Sequence, residues 1–199
     1  MLVVNGDIVD RGPNCVEVLE YIYYLHTEGK AIVILGNHDK FLLDFLEGNY
    51  ERTLFNFAKN GHEETIKQLL NKDSIHEDDF EEATKEINIK YPYLKGFHKE
   101  MKLFHEIGDY VIVHGGVDAS KEDWRNDTLR TYIWTRMYNQ PRLKDKTLVV
   151  GHTPAFYVRA SMEGIDAKEI EKNSRQKQEY YDILIQDNLI HIDGGVYSG

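Results

Sequence analysis

The chain has 199 residues, a formal net charge of -10 and one cysteine, Cys15. The length predicts one domain. The acidic balance argues against a nucleic-acid groove as the main surface, and a lone cysteine excludes an internal disulfide framework and fits a reducing compartment. No apolar run reaches the length of a membrane span. The opening Met1-Leu2-Val3-Val4-Asn5 lacks the basic region and cleavage site of a secretory signal, so a cytoplasmic protein without a membrane partner is expected.

In chain order, Leu2 to Val4 is a β-branched apolar run and predicts a strand. Pro13 marks a helix start, and Cys15, Leu19, Ile22, Tyr23 and His26 recur at helical spacing until Gly29. Ala31 to Leu35 predicts a second strand, followed by a helix carrying Phe41, Leu42, Phe45 and Leu46. Two strands joined through a helix imply a right-handed parallel crossover. From about Asn49 to Tyr91 the chain turns Lys/Glu-rich and helical in pattern, with Ile66, Leu69 and Leu70 on one face and breaks at Gly61 and Asn71 to Ser74. It reads as a helical insertion over about residues 49–95 of a single domain, 1–199, covering the sheet. The acidic run Glu77 to Glu82 reads as a solvated helix face.

After Gly96 the pattern predicts strands. Met101 to His105 and Tyr110 to His114 form a hairpin about Ile107-Gly108-Asp109. Thr147 to Val150, Tyr181 to Ile185 and Leu189 to Ile192 complete a second, more antiparallel set, the last two joined at Gln186-Asp187-Asn188. Ser161 to Gln178 is polar and reads as a loop or short helix. The thirteen tyrosines read as core-edge residues with wet hydroxyls.

Polar residues with metal chemistry follow four of these apolar runs. Asp7 and Asp10 come after the first, Asn37 and His38 after the second, His114 after Val111-Ile112-Val113, and His152 after Val149-Val150-Gly151. Open α/β sheets place ligands at such strand ends, and Asp, Asn and His suit a divalent transition metal. A phosphate ester resists attack because its anionic oxygens repel a nucleophile. Divalent metals neutralise those oxygens and lower the pKa of bound water from about 15.7 toward 7. Asp7 is then the candidate bridging ligand, with Asn37, His114 and His152 completing the protein ligands of one metal. His38 is the candidate general acid, its other ring nitrogen oriented by Asp10. Arg11 offers a fork for phosphoryl oxygens, Arg136 a clamp on the opposite side, and Asn37 joins them in the substrate-binding set. His26, His62, His76, His98, His105 and His191 carry no motif and read as surface or packing residues, and Cys15 as a buried helix residue.

The motifs GDIVDRG (Gly6 to Gly12), GNHD (Gly36 to Asp39), VHGG (Val113 to Gly116), IWTR (Ile133 to Arg136) and GHTP (Gly151 to Pro154) stand in the order found in the calcineurin-like metallophosphoesterases. The chain resembles most their phosphoprotein phosphatase branch, which includes Ser/Thr protein phosphatases, the bacteriophage lambda phosphatase type and symmetrical diadenosine tetraphosphatases. The terminal IDGGVYSG (Ile192 to Gly199) is similar to the glycine-rich strand end near these sites' rim. The resemblance implies a four-layer α-β-β-α sandwich of two mixed sheets and two divalent metals, with manganese expected and iron or zinc the alternatives. It implies Asp7 as bridge and Asn37, His114 and His152 on the second metal. His38 with Asp10 would be the proton-donor pair, and Arg11 and Arg136 would hold phosphate. It further implies in-line attack by metal-bound hydroxide on phosphorylated protein or a small phosphoester.

The sequence departs from the family's pattern at its beginning. Relatives carry an Asp-x-His motif upstream of the GD motif, and those residues ligate the first metal. Here Met1 lies six residues before Asp7, and that motif and the sheet's first strand are missing. One well-ligated metal and weak turnover are therefore expected. The alternatives are symmetrical dinucleoside tetraphosphate hydrolysis and a truncated, non-catalytic form that binds metal or phosphate.

Overall fold

The computed structural model describes residues 1–166, 168–169 and 178–195. The chain forms two compact units, Met1–Lys102 and Leu103–Gly199.

In the first unit, β1 (Leu2–Val4) and β2 (Ala31–Val33) pair in parallel, Leu2 opposite Ala31 and Val4 opposite Val33. They are joined through α1 (Cys15–Thr27), whose Cys15, Leu19 and Ile22 are buried at the predicted spacing. The second strand ends earlier than expected. Ile34 bridges Lys102 instead, and the Leu35 N–H donates to the Lys102 carbonyl at 2.8 Å. Helix α2 (Asn37–Leu46) is buried at every position except Lys40, the signature of a helix enclosed on all sides. Around it lie α3 (Tyr50–Asn56), α4 (His62–Leu70), α5 (Phe80–Lys90) and α6 (Leu94–Glu100). The predicted helical character of 49–95 is observed. Gly61 and Asn71, both left-handed, bound α4, and Ile66, Leu69 and Leu70 are buried. Glu77, Asp78, Asp79, Glu81 and Glu82 are exposed, as a solvated face should be. Gly96 lies inside α6 rather than ending the helical region. The strand expected from Met101 begins later, because the Lys102 N–H is already bonded to the Val33 carbonyl at 2.9 Å.

The second unit holds a five-stranded mixed sheet, β3 (Phe104–Ile107), β4 (Tyr110–Val113), β5 (Thr147–Val150), β6 (Leu184–Gln186) and β7 (Leu189–His191), in the order β3-β4-β5-β7-β6. The two expected hairpins form, β3 with β4 and β6 with β7. The centre is parallel, however, where a more antiparallel set was expected: β4 pairs with β5 and β5 with β7 in parallel. Long crossovers make that possible, one carrying α7 (Leu129–Trp134), the other α8 (Ala155–Glu163). Val111, Val113, Leu148, Val150 and Leu189 are buried accordingly. Helix α8 runs through Ser161, where a polar loop or short helix was expected to begin. Tyr181 ends a 3₁₀ turn, Gln178–Tyr181, instead of starting β6. The Arg159 guanidinium there takes the carbonyls of Tyr180, Asp182 and Ile183 at 2.8, 2.8 and 3.2 Å, leaving them unavailable to a strand ladder. The remainder of the 161–178 stretch, residues 167 and 170–177, and residues 196–199 of the terminal glycine-rich run lie outside the described residues. Two sheets with flanking helices bear out the α/β class. Among the described residues no helix is long and apolar enough to cross a membrane.

Candidate functional site

In the first unit the chemistry is built where β1 and β2 end. The chain leaves β1 through Gly6 at φ 78°, and Asp7, Asp10 and Arg11 follow at φ 54°, 75° and 61°. With His152 at φ 60°, they are four of the six described non-glycine residues in the left-handed region. Such strain persists only where surrounding structure fixes it. For Asp7 the fixing group is Asp39, fully buried in the first turn of α2. Its carboxylate accepts the Gly36 and Asp7 N–H groups at 2.8 Å each and the Ile8 N–H at 3.0 Å. The bond back to Gly36 is the acidic half of a capping box. Burial, and then the charge of Asp7, push the Asp39 carboxyl up. Asp7 in turn accepts the His38 N–H at 3.1 Å, which sets its carboxylate at the N-terminus of α2. Gly36 makes room for this: a Cβ there would lie 2.2 Å from Asp7 Oδ1 and 2.4 Å from Asp7 N.

His38 and Asp10 meet inside the same unit. His38 Nδ1 lies 2.6 Å from Asp10 Oδ2, and both side chains are buried. The other carboxylate oxygen, Oδ1, receives the Thr65 hydroxyl at 2.7 Å and faces His62 Nδ1 at 3.1 Å, while the Asp10 N–H donates to Thr65 Oγ1 at 2.9 Å. Burial alone would raise the Asp10 carboxyl. The hydrogen bonds from His38 and then His62 outweigh it and hold the group at about 2. Arg11 is exposed and donates to Asn60 Oδ1 at 3.3 Å. Gly61, at φ 78°, packs so closely that a Cβ would lie 2.6 Å from Arg11 N. Asn37 is buried in the first turn of α2.

In the second unit, parallel neighbours β4 and β5 deliver His114 and His152 from adjacent ends, with ring centroids 5.2 Å apart. His114 is buried, and the Gly151 N–H donates to its carbonyl at 2.8 Å. Trp134 stands edge-on to His152 at 5.6 Å. The glycines of VHGG have a steric reason. A Cβ on Gly115 would meet the Thr135 carbonyl oxygen at 2.9 Å, and one on Gly116 the Met137 sulfur at 2.6 Å. These two glycines let the strand end lie against the segment that carries Arg136. The Arg136 guanidinium is exposed and donates to Thr153 Oγ1 at 3.2 Å and the His152 carbonyl at 3.5 Å.

Each unit thus gathers its own share of the sequence-predicted residues: Asp7, Asp10, Arg11, Asn37 and His38 in one, His114, Arg136 and His152 in the other. Asp39, His62 and Thr65 were not anticipated. Asp39 carried a legible signal, an acid three residues after a helix-capping glycine. His62 and Thr65 carried none, because they reach Asp10 from 52 and 55 residues away. Cys15 is a packing residue: its thiol donates to the Gly12 carbonyl at 3.1 Å and burial pushes it up.

Several known proteins are similar to this chain. The chain is 27% identical over 179 residues to the bis(5'-nucleosyl)-tetraphosphatase PrpE (asymmetrical) of Oceanobacillus iheyensis, a match covering 78% of this chain and 63% of that protein. A metallophosphoesterase structure from Sphaerobacter thermophilus matches 74% of this chain and 47% of its own, with 18% identity and a TM-score of 0.37. A protein serine/threonine phosphatase structure from Saccharomyces cerevisiae matches 76% and 51%, with 15% identity and a TM-score of 0.42. The chain spans less than two thirds of the length of each of these three. The calcineurin-like phosphoesterase family matches over residues 1–185, a span that takes in both clusters and all five motifs, and the chain belongs to that family.

Proposed function

We propose that the protein is a metal-dependent phosphoester hydrolase in which His38, oriented by Asp10, is the general acid. The observation that carries this reading is the buried 2.6 Å contact between His38 Nδ1 and Asp10 Oδ2. With Nδ1–H donated to the Asp10 carboxylate, Nε2 is the atom that carries the second proton of the imidazolium and gives it up as acid. Membership of a metal-dependent family supports the reading further.

The donor set fits a divalent transition metal: two imidazoles side by side in one unit, and a carboxylate held at a helix N-terminus with a buried amide in the other. Asp7, Asn37, His114 and His152 would hold it. When bound, such a metal supplies positive charge to the phosphoryl oxygens and an acidified water as nucleophile. The rest falls to the chain. Arg11 and Arg136, both exposed, would bind phosphoryl oxygens, and Asn37 would join them in holding substrate. His38 Nε2 gives its proton to the leaving oxygen as the ester P–O bond breaks, and the Asp10 carboxylate stays on Nδ1 throughout. Manganese is the metal proposed for assay.

Phosphoserine or phosphothreonine peptides and small phosphomonoesters are the proposed substrates. The name of the Oceanobacillus relative favours a second reading, hydrolysis of dinucleoside tetraphosphates. Parallel assays with a phosphoserine peptide and with diadenosine tetraphosphate separate the two. In either case the expected outcome is activity that needs manganese and is abolished by a chelator. His38→Ala should lower kcat on the peptide by about 10²-fold or more, the usual contribution of a positioned acid. Activity indifferent to His38→Ala would overturn the assignment.

A further inference from the structure

We infer that His62 is a positioning residue for the proton-donor pair, acting on His38 through Asp10; this rests on His38 being the general acid. A carboxylate free to rotate about its last bond can offer either oxygen to an imidazole, and the imidazole then swings with it. Here the two oxygens are divided. His38 Nδ1 takes Oδ2 at 2.6 Å, while His62 Nδ1 and the Thr65 hydroxyl occupy Oδ1 at 3.1 and 2.7 Å. Because Asp10 accepts on both sides, Nδ1 carries the proton in each imidazole. Two donors on one oxygen fix the plane of the carboxylate, and that plane fixes where His38 Nε2 points.

The surroundings of His62 suit that task. Its side chain is fully buried, and its Nε2 has no hydrogen-bond partner among the described residues. The rings of Phe41, Phe45 and Phe57 stand edge-on to it with centroids 6.4, 6.0 and 6.4 Å away. In this apolar setting the bond to Asp10 is the ring's one polar anchor among the described residues, so the ring cannot turn away from Asp10 without leaving a buried N–H unmet.

The test uses leaving groups of different need. p-Nitrophenyl phosphate expels a stabilised phenolate and depends little on a proton donor, whereas phenyl phosphate depends on one heavily. His62→Leu fills the pocket without a donor. It is expected to lower kcat on phenyl phosphate by about 10–100-fold, the usual cost of losing an outer hydrogen-bond partner. KM should be nearly constant, and the loss on p-nitrophenyl phosphate at least several-fold smaller. His62→Asn places an amide donor where Nδ1 now sits, and should recover most of the lost rate. Thr65→Val removes the second donor on Oδ1 and should show the same dependence on leaving group, whether or not the leucine variant folds. Equal losses on both substrates in the variants that fold would overturn the inference. His38→Ala run beside them separates the outcomes: if it too shows no dependence on leaving group, the general-acid reading itself has failed.

Discussion

The smallest decisive feature of the first unit is a missing methyl group. Gly36 is not needed for an unusual backbone angle, since its φ of -96° is open to any residue. It is needed because Asp7 occupies the space a side chain would take, with Oδ1 2.2 Å from the position of a Cβ. Gly36→Ala should therefore displace Asp7 and strain the loop that Asp39 holds. Overpacking of this kind costs about 1–3 kcal/mol, read as a lowered denaturation midpoint, and affinity for manganese measured by calorimetry should drop with it. Much at this scale was legible in the sequence. Asp10 and His38 were paired as acid and orienting carboxylate on chemistry alone, and they are in contact. The hold of Asp39 on the Asp7 and Ile8 N–H groups, the ring of His62 and the hydroxyl of Thr65 were not foreseen. They meet groups distant in sequence, and no local pattern records which distant residue a side chain will meet.

Among the elements, β7 carries a group whose chemistry is at odds with its place. His191 is fully buried, and neither ring nitrogen has a hydrogen-bond partner among the described residues. Burial first, and then the positive charges of Arg142 and Arg159, push it down to about 4. A histidine depressed in the folded state is protonated more readily in the unfolded chain. Acid therefore favours unfolding as pH falls from about 6.5 toward 4, by roughly 3 kcal/mol across that interval. His191→Leu should flatten the dependence there, checked by chemical denaturation at pH 7 and pH 5. The elements themselves were largely readable from periodicity: β1, α1, α2, α4, β4 and β5 lie where apolar spacing put them. The parallel centre of the second sheet was not, because strand direction depends on the length and path of the crossovers rather than on the strands' own residues. The late start of β3 and β6 has the same kind of cause, since Lys102 and the carbonyls near Tyr180 are committed to partners that lie outside those strands.

At the scale of the whole molecule, pH acts through a second buried group. The folded Asp10 carboxyl, at about 2, lies below its unfolded value of about 3.9. Its stabilising contribution is complete above about pH 4 and is lost as pH falls toward 2, roughly 2 kcal/mol in all. Acid unfolding should then come in two stages, the upper removed by His191→Leu and the lower by Asp10→Asn, followed as unfolding free energy between pH 7 and pH 2. A typical domain is stable by about 5–15 kcal/mol, so each stage is a sizeable share. The division of the Asp10 carboxylate between His38 and α4 also has a meaning in time. Residues 28 and 55 positions further along must both arrive before that geometry exists, and closing loops of that size carries an entropic cost before any contact repays it. A chain emerging from the ribosome cannot close this arrangement of Asp10, His38 and Thr65 until Thr65 has cleared the exit.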